Sequence, residues 1–204
     1  MIFYENALRI RTPHEEIYRI HQHLDFFIQE EARVKTPYSF KIMPGFANDA
    51  SVFVRTVQPL HLSGERKQEI FLKNTDTIRF STMLAVIQRS ITGNRQTTQP
   101  PDKRDGYVRK CLFHAGFSIQ SLRVDEPKKV IVKNRETKHG PSILIPASVI
   151  YADCTIDSVA EAEKALVYGI GKKRIFGFGF LQPFRVNDSD EFLCSLHPCR
   201  SEYS

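Results

Sequence analysis

The first sixty residues alternate between short apolar runs and polar breaks, in a pattern typical of strand, helix, strand, strand. Ile2–Ile10 is rich in aromatic and β-branched residues and ends at Arg11, Thr12 and Pro13, where a helix can begin. Apolar residues at three- and four-residue spacing then predict one buried helix face from Pro13 to about Glu31, formed by Ile17, Ile20, Leu24, Phe27 and Ile28. Strands are predicted over Tyr38–Met43 and Ser51–Gln58.

The remaining pattern repeats these element types without repeating residues. Strands are predicted over Ile70–Leu72 and Thr77–Ala85, and the polar run Thr92–Asp105 predicts a linker or loop. The second half then predicts a weak helix, two strands, a long strand, a capped helix and a closing strand, in the order Tyr107–Ala115, Phe117–Val124, Val130–Lys133, Ser142–Ile156, Ser158–Tyr168 and Phe178–Val186.

This order favours an α+β fold of two tandem ferredoxin-like (RRM-like) modules, with antiparallel sheets and helices on one face. The expected division is residues 1–90 for the N-terminal module, 91–105 for a linker, 106–186 for the C-terminal module and 187–204 for a tail. The alternative is a single α+β domain with one larger sheet.

Composition adds an expected type of partner. The 204 residues carry a formal net charge of +6, which favours binding to a polyanion. Apolar runs fall short of the roughly 20 residues of a membrane helix, and the N-terminus lacks the pattern of a signal peptide. With four cysteines, unevenly spaced, we expect a soluble cytoplasmic protein that does not bind membranes.

The segment Gly169–Leu181 is the strongest local signal, because glycines surround three consecutive cations. Glycine lets backbone approach a ligand closely, and amide donors beside cations suit a phosphate backbone. The candidate RNA-binding residues here are Gly169, Gly171, Lys172, Lys173, Arg174, Gly177 and Gly179. The alternative interpretation is a helix C-cap followed by a bend into an edge strand.

Tyr18 and His21 lie three residues apart on the first predicted helix, on the face turned away from the core. Histidine can act as a general acid or base near neutral pH, tyrosine can donate to a phosphate oxygen, and Asp25 could orient the imidazole. From spacing alone, nothing prefers His21 to His14 or His23.

Further cations lie in the second half. Lys128, Lys129, Lys133 and Arg135 are candidates for a stripe along a phosphate backbone, with the last two on one strand face, or else for a solvated hairpin rim. A zinc site is weakly supported, because Cys194, His197 and Cys199 supply fewer than the four ligands of a structural site.

Two segments carry a resemblance to a known family. IYRIHQHL (Ile17–Leu24) is similar to a Tyr-x-x-His-x-x-Leu segment, and Ile150–Leu181 is similar to the final strand, helix and glycine-rich loop, of the CasE family of CRISPR RNA-processing endoribonucleases. The sequence departs from that family over Ser81–Val86, where further arginine and an Asn-Pro pair are usual.

The resemblance implies an endonuclease without a metal ion or small-molecule cofactor. Such an enzyme binds the hairpin of CRISPR repeats and cuts at its 3′ base, leaving a 2′,3′-cyclic phosphate, and stays bound among the other subunits of the Cascade complex. By this match His21 is the catalytic acid or base and Tyr18 its neighbour at the scissile phosphate. The alternatives are a hairpin-binding subunit that does not cleave and a two-module protein without a nucleic-acid role.

Overall fold

The computed structural model describes residues 1–45, 48–89, 96–133 and 142–184. Its strands are β1 (Ile2–Ile10), β2 (Tyr38–Pro44), β3 (Ala50–Thr56), β4 (Arg66–Glu69), β5 (Thr77–Ala85), β6 (Ile87–Arg89), β7 (Gln96–Thr98), β8 (Phe117–Val124), β9 (Lys128–Lys133), β10 (Ser142–Ile156) and β11 (Gln182–Phe184). The helices are α1 (Ile17–Phe26), α2 (Pro101–His114) and α3 (Val159–Tyr168), with a π-helical turn at Phe27–Glu31 and a 3₁₀ turn at Arg174–Phe176.

Two antiparallel sheets organise the described chain. The first has the strand order β2-β3-β1-β4 and the second β11-β5-β10-β8, with β9 pairing to the beginning of β10. In both sheets the first and third strands of the unit are central and the second and fourth are at the edges, which is the ferredoxin-like arrangement. The predicted fold class, α+β with tandem ferredoxin-like modules, is confirmed. A short ladder of β6 and β7 is separate.

Strand β5 belongs to the second sheet, whereas the sequence analysis placed it in the N-terminal module. It pairs with β10 from Thr77↔Thr155 to Ala85↔Ala147 and with β11 on its other side. Its buried residues Phe80 and Leu84 join the second core. The boundary between the two sheets therefore lies after β4 and not near residue 90. The sequence misplaced it because alternation of apolar residues identifies a strand but not the strand it pairs with.

Several element bounds also differ from the predictions. Helix α1 begins at Ile17, because Pro13 to Glu16 forms a turn in which the Glu16 amide donates to the Pro13 carbonyl. Helix α2 begins at Pro101, inside the predicted linker, since proline suits the first helical turn. The strand predicted over Ile70–Leu72 is instead β4, at Arg66–Glu69. The closing strand is confined to Gln182–Phe184, within the described residues.

Each module has its own core. Helix α1 packs Ile20 and Leu24 on the first sheet, together with Ile28 of the π-helical turn that follows it, and α2 and α3 pack on one face of the second sheet. A third buried cluster contains Val132, Ile145, Phe176 and Phe178, and partly buried Ile17 and Tyr18 pack against it. This cluster joins α1 to the β9–β10 hairpin and to the segment after α3.

The other face of the first sheet contacts the second module. Ser39 Oγ donates to the Val167 carbonyl at 2.6 Å. Arg55 Nη1 donates to the carbonyls of Leu166 at 2.9 Å and Leu181 at 2.6 Å. These carbonyls lie near the end of α3 and just before β11, so the first sheet holds both ends of the glycine-rich segment.

In the described part of the chain, no helix has the length and apolar character needed to cross a membrane.

Candidate active site between helix α1 and the glycine-rich loop

Helix α1 holds Tyr18 and His21 against the rest of the molecule. Ile20 and Leu24, fully buried in the first core, fix the rotation of the helix. Tyr18 and His21 are then half-buried, and the His21 side chain is 16% exposed. The expected position on a face turned away from the core is therefore only partly right, because this face meets the second module.

The three histidines near the first helix, His14, His21 and His23, have different surroundings in the structure, although nothing in the sequence preferred one of them. His23 is exposed to solvent, and His14 precedes α1 and lines a different cavity. The His21 ring lies edge-to-face against an aromatic residue of the glycine-rich segment and lines the cavity that also contains Arg174.

That aromatic residue is Phe176, which lies in the 3₁₀ turn at the tip of the glycine-rich segment. Its ring centroid is 6.1 Å from that of His21, in an edge-to-face arrangement, and 6.4 Å from that of Tyr18. The sequence analysis did not single out Phe176. The sequence did contain one relevant pattern, an aromatic residue between two pairs of glycines. Glycines allow the backbone to turn tightly, so an aromatic side chain between them can point into the protein.

The glycine-rich loop, residues 169–181, folds back on itself. Gly169 and Gly179 have φ of +72° and +80°, and the Ile170 amide donates to the Gly179 carbonyl at 2.9 Å. A Cβ atom at Gly179 would lie 1.9 Å from the Ile170 carbonyl oxygen. These two glycines are therefore required by the backbone itself, and Gly169 caps α3 as the alternative interpretation expected.

The cations of the loop point to different places. Arg174 is exposed, donates to the carbonyls of Tyr168 and Gly169, and lines a cavity together with His21. Lys172 lies over the Tyr107 ring and donates to the Ile87 carbonyl. Lys173 adopts a left-handed backbone conformation before the 3₁₀ turn. Of the three, Arg174 is thus the cation beside His21.

His21 is part of a three-residue network. Asp25 Oδ2 lies 3.3 Å from His21 Nε2. The Tyr38 hydroxyl donates to Asp25 Oδ1 at 2.5 Å and lies 3.4 Å from His21 Nδ1. Tyr38 comes from β2, so the sequence analysis, which considered neighbours along α1, identified Asp25 and missed Tyr38.

Burial and the network act in opposite directions on the pKa of the imidazole. Burial lowers the pKa of His21 below its ordinary value of 6.5, and the Asp25 carboxylate opposes this change. Burial, and then the hydrogen bond to Asp25, raise the pKa of Tyr38. Tyr38 therefore stays a neutral hydrogen-bond donor, and the neutral form of the His21 ring is favoured more than in a free imidazole.

The candidate basic stripe lies beside α1. Lys128, Lys129 and Lys133 are exposed on β9, while Val130 and Val132 of the same strand pack into the cluster that includes Tyr18. Alternation puts Lys129 and Lys133 on the outer face. Arg135, the fourth candidate, lies outside the described residues. Whether these lysines form an RNA-binding stripe or a solvated rim stays a prediction.

Among the described residues, no three His, Cys, Asp or Glu side chains come together in a way that could hold a metal ion. Cys194, His197 and Cys199, the weak zinc candidates, lie outside the described residues.

Comparison with solved structures identifies the fold. The chain is similar to Thermus thermophilus Cse3 bound to an RNA representing a pre-cleavage complex, with a TM-score of 0.70 and 12% identity over 90% of this chain and 99% of that one. It is also similar to the CRISPR-associated protein Cas6e from Escherichia coli K-12, with a TM-score of 0.62 and 14% identity over 90% and 98% of the two chains.

A further similar chain belongs to a CRISPR RNA-guided surveillance complex, with a TM-score of 0.65 and 13% identity over 88% of this chain and 98% of that one. No protein-family model matches the sequence, and no curated protein matches it. At these identities the likeness establishes a shared fold, and the resemblance inferred from the sequence is confirmed at that level.

Proposed function

We propose that this protein is a CasE-like endoribonuclease that binds the stem-loop of CRISPR repeats in precursor CRISPR RNA and cuts at its 3′ base without a metal ion. The observation that carries the proposal is the packing of Tyr18 and His21 on Phe176, because it unites the two matched segments in one site. The fold, shared with a Cse3 that was solved with RNA, supports the same substrate class.

The reaction needs proton transfer and stabilisation of charge at phosphorus. The ribose 2′-oxygen upstream of the cut attacks phosphorus and loses its proton, the bond from phosphorus to the 5′-oxygen breaks, and that oxygen gains a proton. A 2′,3′-cyclic phosphate and a 5′-hydroxyl result. His21 transfers one of these protons and solvent water exchanges the other, Tyr18 donates to the scissile phosphate, and Arg174 adds positive charge nearby.

Asp25 and Tyr38 orient the imidazole for this role. Each contacts a ring nitrogen of His21. The Tyr38 hydroxyl also holds the Asp25 carboxylate in place. The negative charge of Asp25 therefore partly balances the positive charge of a protonated His21 ring without a large rearrangement. The ring must release at least one of these contacts when it meets the substrate.

The rest of the molecule holds the duplex. Duplex RNA is recognised mostly through its phosphates and shape, which suits exposed lysines on β9 and an exposed backbone at Gly171. Arg135 and the other loop cations are expected to contribute as well. The mature guide RNA then stays bound, and the protein serves as a subunit of Cascade.

The test uses purified protein and RNA hairpins with the sequences of CRISPR repeats. We expect His21→Ala to bind the hairpin with unchanged affinity and to lose cleavage by a factor of about 10²–10⁴. His23→Ala, on the exposed side of the same helix, is the matched control and should cleave normally. EDTA should not slow the wild type, and a 2′-deoxy nucleotide upstream of the cut should block it.

A hairpin-binding subunit that does not cleave is the second candidate. It is favoured by the contacts of both His21 nitrogens with Asp25 and Tyr38. Tight binding without cleavage by the wild type would select this candidate. Undiminished cleavage by His21→Ala would remove His21 from the mechanism.

A further inference from the structure

A cavity of about 360 Å³ opens directly beside His21. Its walls come from α1, the π-helical turn, the segment before β2, the end of α3 and the glycine-rich loop; the residues used below are His21, Gln29, Thr36, Tyr38, Tyr168 and Arg174. All of them belong to described segments, and the cavity is within the range of about 300–1,000 Å³ of sites that hold small organic groups.

The proposed reaction has a geometric requirement that an RNA helix does not meet. The 2′-oxygen must lie in line with the bond from phosphorus to the 5′-oxygen, and a regular stacked backbone holds it away from that line. Enzymes that do chemistry on a base move that nucleotide out of the stack and hold its base in a pocket, and the same movement would release the backbone beside a cut from its regular geometry. A base that leaves the stack beside His21 would therefore need a place to bind.

The two nucleotides at the cut differ in how easily they unstack. With the proposed cut at the 3′ base of the stem, the upstream nucleotide, which carries the attacking hydroxyl, ends the stem and is base-paired. The downstream nucleotide is unpaired, and unstacking costs least for a base that is already single-stranded. The downstream base is therefore the one to leave the stack.

The chemistry of the cavity fits a nucleobase. Tyr38 and Tyr168, both half-buried, offer ring surface, and bases in single-stranded RNA stack on aromatic side chains. Gln29 Nε2 donates to Asp25 Oδ1 and Thr36 Oγ1 donates to the Pro37 carbonyl, both at a long 3.4 Å, so the Gln29 amide and the Thr36 hydroxyl can exchange these for hydrogen bonds with a base edge. Arg174 lies on the same cavity and can contact the phosphate that joins this nucleotide to the stem.

We propose that this cavity binds the unstacked base of the nucleotide immediately downstream of the scissile phosphate. The inference rests on the proposed function and adds a base-binding subsite to it. Binding the base there turns the backbone at the cut toward the in-line geometry while keeping the phosphate beside His21.

The first experiment measures single-turnover cleavage. Thr36→Phe fills the cavity, and an abasic downstream nucleotide leaves it empty. We expect each change to slow cleavage by at least about tenfold, and the two together to slow it no more than either alone. Thr77→Phe, an exposed threonine of β5, is the control and should cleave at the wild-type rate. Wild-type rates for Thr36→Phe, or additive effects, would overturn the proposal.

The second experiment does not depend on cleavage. Two hairpins with a 2′-deoxy block are compared, one ending at the cut and one extended by the downstream nucleotide. Thr36→Phe should weaken binding of the extended hairpin about fivefold and leave the shorter one unchanged, since a stacked base contributes measurably to affinity. Equal effects on both would contradict the subsite. Because a non-cleaving protein can still be tested this way, failure of the subsite and failure of the proposed function remain distinguishable.

Gln29→Ala provides a variant that should fold, because Gln29 is exposed. It should reduce the differences in cleavage rate among RNAs that carry the four different downstream bases, with an unchanged melting temperature. Undiminished differences would remove Gln29 from recognition of the base.

Discussion

The two modules share a strand order but differ in how they cover their sheets. A ferredoxin-like unit has two helices, but the first sheet, β2-β3-β1-β4, is covered by α1 only. The second helix is missing because residues 57–65 join β3 to β4 without forming one. The second sheet, β11-β5-β10-β8, has both α2 and α3 on one face. The first module contributes Tyr18, His21 and Tyr38, and the second contributes the glycine-rich loop.

The two sheets also differ in what their helix-free faces contact, and this explains why the candidate site forms between the modules. The first sheet uses Ser39 and Arg55, on the face opposite α1, to bind backbone carbonyls of the second module. On the second sheet, by contrast, Arg79 and Arg123 are exposed. The loop is thus anchored from the first module, and its Phe176 reaches Tyr18 and His21.

The largest expected effect comes from Gly179→Ala. A Cβ at Gly179 would lie 1.9 Å from the Ile170 carbonyl oxygen, whereas Gly64, with a similar φ of +82°, has nothing within 4 Å. In urea unfolding we expect Gly64→Ala to cost about 1 kcal/mol and Gly179→Ala about 3 kcal/mol or more. RNA cleavage should fall strongly only for Gly179→Ala. Equal losses of stability would show that backbone conformation alone sets the cost.

Arg55 and Arg79 test the two sheet faces. Arg55→Ala removes hydrogen bonds to two carbonyls and the ion pair of a buried guanidinium with Glu5, which should lower the free energy of unfolding by about 3 kcal/mol. Arg79→Ala removes a solvent-exposed ion pair with Asp153 and should change the unfolding curve little. A large loss for Arg79→Ala would mean that the second sheet face also has a structural partner.

The two modules should also respond to pH in different ranges. Burial holds the pKa of His21 in the folded protein below the 6.5 of the unfolded chain, so as pH decreases the unfolded chain takes up this proton before the folded protein does. The contribution of neutral His21 to stability is therefore complete above pH 6.5 and falls as pH decreases. Hydrogen bonds from Arg79, and then from Ser121, hold the pKa of Asp153 below 3.8, so its contribution is present above pH 3.8 and is lost in stronger acid.

Urea unfolding at a series of pH values measures both contributions. His21→Gln should flatten the profile just below pH 6.5 and leave the acidic range unchanged. Asp153→Asn should leave the range near pH 6.5 unchanged and alter the acidic range only slightly, because its ion pair with Arg79 is exposed to solvent. His23→Gln is the control for a histidine substitution on α1. A slope below pH 6.5 that survives in His21→Gln would show that another group causes it.

These contrasts also indicate what the sequence alone could predict. Strand β1 has the predicted bounds, and the apolar spacing of the first predicted helix correctly selected Ile20, Leu24 and Ile28 as buried. The pattern was sufficient there because each element buries one face, and a face is recorded in local spacing. The partner of a strand is not recorded in this way, which is why β5 was placed in the wrong module.

The same limit applies to the candidate site. Tyr18, His21 and Asp25 lie within eight positions of one helix and could be grouped by helical spacing. Tyr38 and Phe176 reach His21 from β2 and from the loop after α3, so their proximity depends on how the modules pack. Arg55 likewise gave no local signal, because its partners are the carbonyls of Leu166 and Leu181.

The smallest expected effect concerns the lysines of β9. Lys133→Gln removes one exposed charge from the strand beside α1, and if that charge contacts an RNA phosphate, the slope of log affinity against log salt should decrease by about 1. Lys164→Gln removes an exposed charge from α3, where it pairs with Glu161, and should leave the slope unchanged. Equal slopes for Lys133→Gln and the wild type would identify Lys133 as part of a solvated rim.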